Sequence, residues 1–300
     1  MPLTETALIN TTYRGTEVIV IKGEKMRILF ATDIHLCHMD YEELPTSERM
    51  DLFVGNVINE YRSEPFEALI LLGDYSLDHW SWQIQGCYIN EGISNAEAFA
   101  KNYLAKIKAA LPNVKIIMLA GNHEQYGDVL WNKFTGGYSR QDYAYISNWL
   151  FIGLDTYGAD LDPTEHSDGT YTGIDEEYVT ALMNSYPEAN VVLCAHYFDY
   201  NNTDDKLYDL LGDPRVKCAI CGHNHKWDYV ISDKTNGKPL FFAGEYSYKS
   251  VGTNPGNPMW GYRDFIIDDN SLTSRYITPE LTIHNKYFPR EYYSELKIDI

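Results

Sequence analysis

Five short apolar runs in this chain each stop at a residue able to bind a transition metal. ILFAT leads to Asp33 and His35, ALILLG to Asp74, and KIIMLAG to Asn122 and His123; VVLCA leads to His196, and CAIC runs through Gly222 into His223 and His225. Runs this short and this rich in Ile, Leu and Val are expected as strands of a sheet covered on both faces. In open α/β sheets the ligand crevice lies beyond the carboxyl ends of the strands. A lone histidine after a strand is ordinarily a loop residue, and a lone Gly-Asp an ordinary turn. Together, however, the runs carry two aspartates, an asparagine and several histidines to one crevice. That donor set suits two transition-metal ions sharing a site.

The segments between the runs read as helices and turns. Ser47 to Tyr61 carries Met50, Phe53, Val54, Val57 and Ile58 at helical spacing, with Ser47 as the expected cap. A second helix is expected from Asn95 to Leu111, stopped by Pro112. Asp175 opens a third. Tyr143 to Ser147 and Trp149 to Asp155 read as paired strands around a turn at Asn148. Gly121 to Gln141 has little period and reads as a functional loop. After Lys226 short strands alternate with turns, which predicts a mixed or antiparallel closing sheet; nothing after Pro279 carries a clear signal. The expectation is one α/β domain over residues 1–300, its motif-bearing core at about 26–245 and its closing strands and tail at 246–300.

Charge narrows the function classes. The net charge is −19 and no basic run is present, which argues against binding a nucleic-acid backbone. No stretch approaches the roughly 20 apolar residues that span a bilayer. The first residues show no basic segment followed by an apolar core, so a cytoplasmic location is expected. The five cysteines are irregularly spaced and do not form a disulfide framework. Cys218 and Cys221 sit inside an apolar strand pattern and read as core residues, whereas Cys37 follows the Asp33/His35 pair closely.

In order, Asp33-Ile-His35, Gly73-Asp74, Gly121-Asn122-His123-Glu124, His196 and Gly222-His223-Asn224-His225 resemble the blocks of the calcineurin-like metallophosphoesterases. The resemblance implies a four-layer α/β/β/α sandwich, two mixed sheets flanked by helices. It implies two ions of Mn, Fe or Zn, one held by Asp33, His35 and His225 and the other by Asn122, His196 and His223, with Asp74 bridging. It gives His123 the role of general acid toward the leaving oxygen. The implied reaction is in-line attack by a metal-bridging hydroxide on a small phosphodiester or phosphomonoester. Within the family the segment from Gly73 to Trp80, with the GNHE block, loosely resembles the acid sphingomyelinase and cyclic-nucleotide phosphodiesterase branches, which favours a diester. A phosphomonoesterase or nucleotidase is the alternative, and a non-catalytic binding scaffold on the same fold is a third reading. Glu124 either orients His123 or is a solvated loop carboxylate.

Substrate contacts are expected from aromatic loops, with Tyr126 and Tyr197 foremost because each closely follows a motif residue, and from His79. His38, His166 and His284 read as loop or surface residues.

Overall fold

A computed structural model describes residues 9–13, 16–20, 25–36, 44–75, 95–124, 126–158, 169–200, 205–246, 260–283 and 285–300. The expectations for Cys37, His38, His79, His166 and His284 fall outside these residues.

In chain order the elements are β1 (Ile9–Tyr13), β2 (Thr16–Val20), β3 (Met26–Ala31), α1 (Thr46–Ser63), β4 (Ala68–Leu71), α2 (Asn95–Phe99), a π-helical turn (Ala100–Leu104), α3 (Ala105–Ala110), β5 (Lys115–Met118) and α4 (Asp128–Thr135). There follow β6 (Asp142–Ile146), β7 (Trp149–Leu154), α5 (Glu176–Ser185), β8 (Asn190–Ala195), α6 (Asp205–Gly212), β9 (Val216–Cys221), β10 (Tyr229–Val230) and β11 (Leu240–Phe242). The chain ends with β12 (Tyr262–Ile267), β13 (Ser271–Thr278), β14 (Leu281–Ile283), β15 (Lys286–Phe288) and β16 (Glu291–Asp299).

All five apolar runs form strands, but they divide between two sheets. One sheet has the order β16-β13-β12-β3-β4-β5, the other β1-β2-β6-β7-β8-β9-β11-β10. The runs of β3, β4 and β5 are parallel neighbours in the first sheet, and those of β8 and β9 in the second. Each sheet is mixed: β12 runs antiparallel to β3, and β6 antiparallel to β7.

Alternation along each strand explains why the runs are apolar throughout. Ile28, Phe30, Ile70 and Ile117 face inward and meet Phe151, Val192, Ile220 and Phe241 of the other sheet. Their neighbours Leu29, Leu69, Leu71 and Met118 face outward against α1 and the helical stretch over 95–110. On the far side Ile152, Leu193 and Ala219 are covered by Val179 and Met183 of α5 and Leu207 and Leu211 of α6. The result is helix, sheet, sheet, helix.

Several local expectations change. α1 begins one residue earlier than expected, after Pro45, and Ser47 lies inside the helix, with no side-chain cap at its start. Asp175 does cap α5, its carboxylate accepting the Tyr178 N–H. Ser147 and Asn148 both lie at positive φ (46° and 66°), the turn that a two-residue hairpin favours. The supposed irregular loop after Gly121 contains α4, whose Trp131 and Thr135 are buried on one face. Of the short strands expected after Lys226, the first is the two-residue β10, and β11 pairs parallel with β9. The tail that carried no signal is a hairpin of β14 and β15 followed by β16, a nine-residue strand on β13. Cys194, Cys218 and Cys221 are free thiols in the buried core. Among the described residues no helix is long and apolar enough to cross a membrane.

Candidate metal centre

The strand ends meet through backbone hydrogen bonds. The Asp33 N–H donates to the Gly73 carbonyl, and the N–H groups of Ile34 and His35 both donate to the Asp74 carbonyl. The Gly222 N–H donates to the His196 carbonyl, which joins the two ends on the other sheet. Asp33, His35, Asp74, His223 and His225 all take φ between 50° and 63°. Non-glycine residues in this left-handed region are costly and cluster at functional sites. Two glycines make room for the carboxylates. A Cβ on Gly121 would overlap Asp74 Oδ1, and one on Gly222 would overlap Thr32 Oγ1 and crowd Asp33 Oδ2 at 2.6 Å.

The side chains then form two groups with Asp74 between them. Asp33 Oδ1 lies 3.1 Å from His225 Nε2 and 3.6 Å from His35 Nε2. Asn122 Oδ1 lies 2.9 Å from both His196 Nε2 and His223 Nδ1. Asp74 Oδ2 stands 3.1 Å from His196 Nε2, 3.5 Å from His35 Nε2 and 3.6 Å from His123 Nε2. The chemistry of this set fits metal ions. Three trios, Asp33/His35/His225, His35/Asp74/His123 and Asp74/His196/His223, each bring their ligand atoms within 4.8 Å of one another. Asp33 Oδ1 is buried and receives no hydrogen bond among the described residues, although two imidazole nitrogens face it. Buried carboxylate oxygens ringed by nitrogen lone pairs are what a cation requires.

The tautomers agree. The Leu72 carbonyl, 3.0 Å from His196 Nδ1, can only accept, so Nδ1 keeps its proton and Nε2 is the nitrogen that would give up its proton to an ion. His225 Nδ1 lies 2.8 Å from Glu245 Oε2 and donates to it, which leaves Nε2 for Asp33's side of the site. Glu245 is a functional candidate that the sequence reading missed. Its signal was present: PLFFAGE is another apolar run ending in a possible ligand. Carboxylates behind ligand histidines fix the ring and raise its basicity. Glu245→Gln is therefore expected to weaken metal binding about 10–100-fold. Metal titration followed by fluorescence or calorimetry checks this, and an unchanged affinity would remove Glu245 from the site.

Charge in the site is strongly perturbed. Burial opposes a charged Asp74, yet His196 and His123 hold it well below the ordinary carboxylate range. Burial likewise opposes Asp33, which His225 and His35 hold down. Burial disfavours protonated His196, but Asp74 and Asp33 push it up to about 9. His225 is opposed by burial and pushed up to about 10 by Asp33 and Glu245. Burial and the neighbouring His196 keep His223 below its usual value. For the metal-free protein the sign is clear. The raised His196 and His225 contribute stability in full below their unfolded value of 6.5, and it fades as pH rises through about 9 and 10. Cations compete with those protons. Metal affinity is expected to strengthen over that same window, with proton release on binding. Calorimetry in buffers of different ionisation enthalpy measures the release; affinity independent of pH would contradict it.

Three buried groups hold the loops in place. Glu124 is buried and not a solvated carboxylate. Its Oε2 accepts the N–H groups of Gly121 (2.8 Å) and Asp74 (2.9 Å), and Oε1 accepts that of Tyr75 (2.9 Å). One carboxylate thus pins the Gly-Asp and Gly-Asn-His turns together. Arg49 on α1 donates to the carbonyls of Ile34, His35 (2.7 Å) and Tyr246 (2.8 Å). Arg140 donates to the carbonyls of Glu124 and Tyr126, both at 2.7 Å, and pairs with Asp155 at 2.6 Å.

Of the expected substrate residues, Tyr197 is brought to the site and Tyr126 is not. The Tyr197 ring is half-buried, 4.7 Å from that of His223. Tyr126 is fully buried, stacked on Trp131 and edge-on to Phe134. Tyr126, two residues after Glu124, already lies in the core.

The sequence profile of the calcineurin-like phosphoesterases matches residues 26–227. No curated protein sequence matches the chain. Among solved structures, the fold is similar to a dimetal phosphatase from Danio rerio, with a TM-score of 0.59 and 13% identity over 91% of this chain and 98% of that one. It is also similar to the purple acid phosphatase PPD1 of yellow lupin (Lupinus luteus), with a TM-score of 0.51 and 12% identity over 93% of this chain and 56% of that one. A third likeness is to GAP50, the anchor in the inner membrane complex of Plasmodium, with a TM-score of 0.53 and 12% identity over 89% and 88% of the two chains. At these identities the likeness is one of fold.

Proposed function

The chain belongs to the calcineurin-like phosphoesterase family, and from that premise we propose that it hydrolyses small phosphoesters at two metal ions. Asp33, His35 and His225 would hold one ion, and Asn122, His196 and His223 the other, with Asp74 shared. The observation that carries this reading is the place of Asp74 Oδ2, 3.1 Å from His196 Nε2 on one side and 3.5 Å from His35 Nε2 on the other. When bound, two such ions lower the pKa of a water and offset charge on the phosphoryl oxygens.

The remaining work falls to the chain itself. His123 sits at the rim, its side chain 13% exposed, with Nε2 3.6 Å from Asp74 Oδ2. A ring so placed is suited to give a proton to a leaving alkoxide. Its own N–H donates to Asp74 Oδ1 at 3.1 Å, so the proton donor and the shared carboxylate move together. Glu124 fixes both turns from behind. The net charge of −19 weighs against a polynucleotide and for a small ester.

A phosphodiester is the favoured substrate, on the loose resemblance of the Gly73 to Trp80 segment to the diesterase branches. The test is hydrolysis of a chromogenic phosphodiester and its matching monoester by protein reconstituted with Mn²⁺. Diester turnover abolished by a chelator is the expected result. Turnover of the monoester alone would move the assignment to a phosphatase or nucleotidase. Silence on both, with metals bound, would favour a binding scaffold, a role that the fold's likeness to an anchor protein brings into view.

A further inference from the structure

The two flanks of the centre differ. On the His225 flank stands the carboxylate of Glu245. On the His223 flank stand three tyrosines. Tyr197 lies 4.7 Å from His223 ring to ring, Tyr171 meets Tyr197 edge-on at 5.5 Å, and Tyr157 lies 5.9 Å from both Tyr171 and His196. The backbone builds this wall. Tyr157 and Tyr171 pair as an antiparallel bridge. Thr156 Oγ1 donates to the Tyr197 carbonyl at 2.9 Å, and the Gly169 N–H donates to the Asn122 carbonyl at 2.8 Å. The segment with Tyr171 is thereby tied to a metal-site residue. Asp199 fixes the outer rings: it accepts from the Tyr197 hydroxyl at 3.3 Å, and its N–H donates to the Tyr171 hydroxyl at 3.3 Å.

Tyrosines that serve packing look different here. Tyr75, Tyr126 and Tyr246 are fully buried, whereas Tyr171 and Tyr197 keep part of their surface open beside a charged cluster. Half-open rings with their hydroxyls tethered present a rigid π-surface at little entropic cost. We propose that Tyr171 and Tyr197 form a stacking subsite for a planar aromatic group, such as a nucleobase, carried by the phosphoester. This rests on the phosphoesterase reading for where the phosphate sits. Among the described residues, the side chain set on the opposite flank beside His225 is the Glu245 carboxylate, not a tyrosine ring.

The test uses two ligand pairs: adenosine monophosphate against the phosphate of methyl riboside, and the methylenephosphonate analogues of both. Within each pair the phosphate and its primary attachment are the same, and only the base differs. The phosphonates cannot be hydrolysed, so their binding to Mn²⁺-loaded protein reads the subsite without turnover. Stacking on an aromatic side chain is expected to favour the base-bearing phosphonate by about tenfold. Tyr197→Ala and Tyr171→Ala should each reduce that ratio, while Tyr197→Phe, which keeps the ring, should preserve it. A ratio near one in the wild type, no binding of the base-bearing phosphonate at millimolar concentration, or a ratio unmoved by both alanine variants would overturn the proposal. Hydrolysis of the two esters is scored separately. If neither monoester turns over while the binding ratio holds, the aromatic subsite stands, and the phosphoesterase reading is decided by the chromogenic diester.

Discussion

Replacing His123 with alanine is expected to slow hydrolysis of an alkyl phosphoester by about 10²–10⁴-fold, the usual worth of a general acid, with both ions still bound. The ring faces Asp74 from 3.6 Å at the rim of the site. The contact that fixes the turn is made by the His123 main-chain N–H, which alanine retains. Metal content measured by elemental analysis should therefore be unchanged. The loss should also depend on the leaving group. A nitrophenolate departs without a proton, so its hydrolysis should fall much less than that of an alkyl ester. An equal loss for both leaving groups would point to a positioning defect, and full activity would exclude His123 from the chemistry.

The second large effect is expected at Asp74. Asp74→Asn keeps the shape and can still accept the His123 N–H at Oδ1. It removes the negative charge from a buried position 3.1–3.6 Å from three imidazoles. At least one ion should be lost on dialysis, and turnover should drop by about 10²–10³-fold or more, as when a preorganised electrostatic group is deleted. Unchanged metal content would sink the role of Asp74 as the shared ligand. The two variants separate chemistry from metal retention: one keeps the ions and loses the proton donor, the other loses an ion first.

Much of the arrangement was legible because apolar strands and their terminal ligands are short-range signals. Asp33, His35, Asp74, Asn122, His123, His196, His223 and His225 come together in the fold as their places in the chain suggested. Which sheet each run joins was not legible. A strand buried on both faces has no polar alternation to mark its partner, so β5 and β8 look alike although they lie in different sheets. Arg49 and Arg140 were invisible for another reason. A charged residue on a helix or loop reads as solvated, and only the tertiary fold buries each guanidinium against main-chain carbonyls. Tyr126 shows the converse error, since closeness in sequence to a motif does not keep a side chain in the crevice. α4 escaped notice because eight residues give too few turns for a period to register. β16 did so because its alternation of half-buried Leu296 and Ile298 with charged residues breaks at Ser294, which sits at positive φ (49°) where the register with β13 shifts.

That last strand has a bearing on the edge of its sheet. β13 is buried along most of its length, with Leu272, Tyr276 and Ile277 almost fully covered. β16 lies along its free side from Ser271↔Asp299 to Thr278↔Glu291 and is itself the last strand of the sheet. What it presents outward is studded with Glu291, Glu295, Lys297 and Asp299. Charges of this kind discourage another strand from docking. A chain shortened before Glu291 would trade that guarded margin for the bare edge of β13, an aggregation template. β16, far from the candidate metal centre, thus hems the edge of β13 with charge.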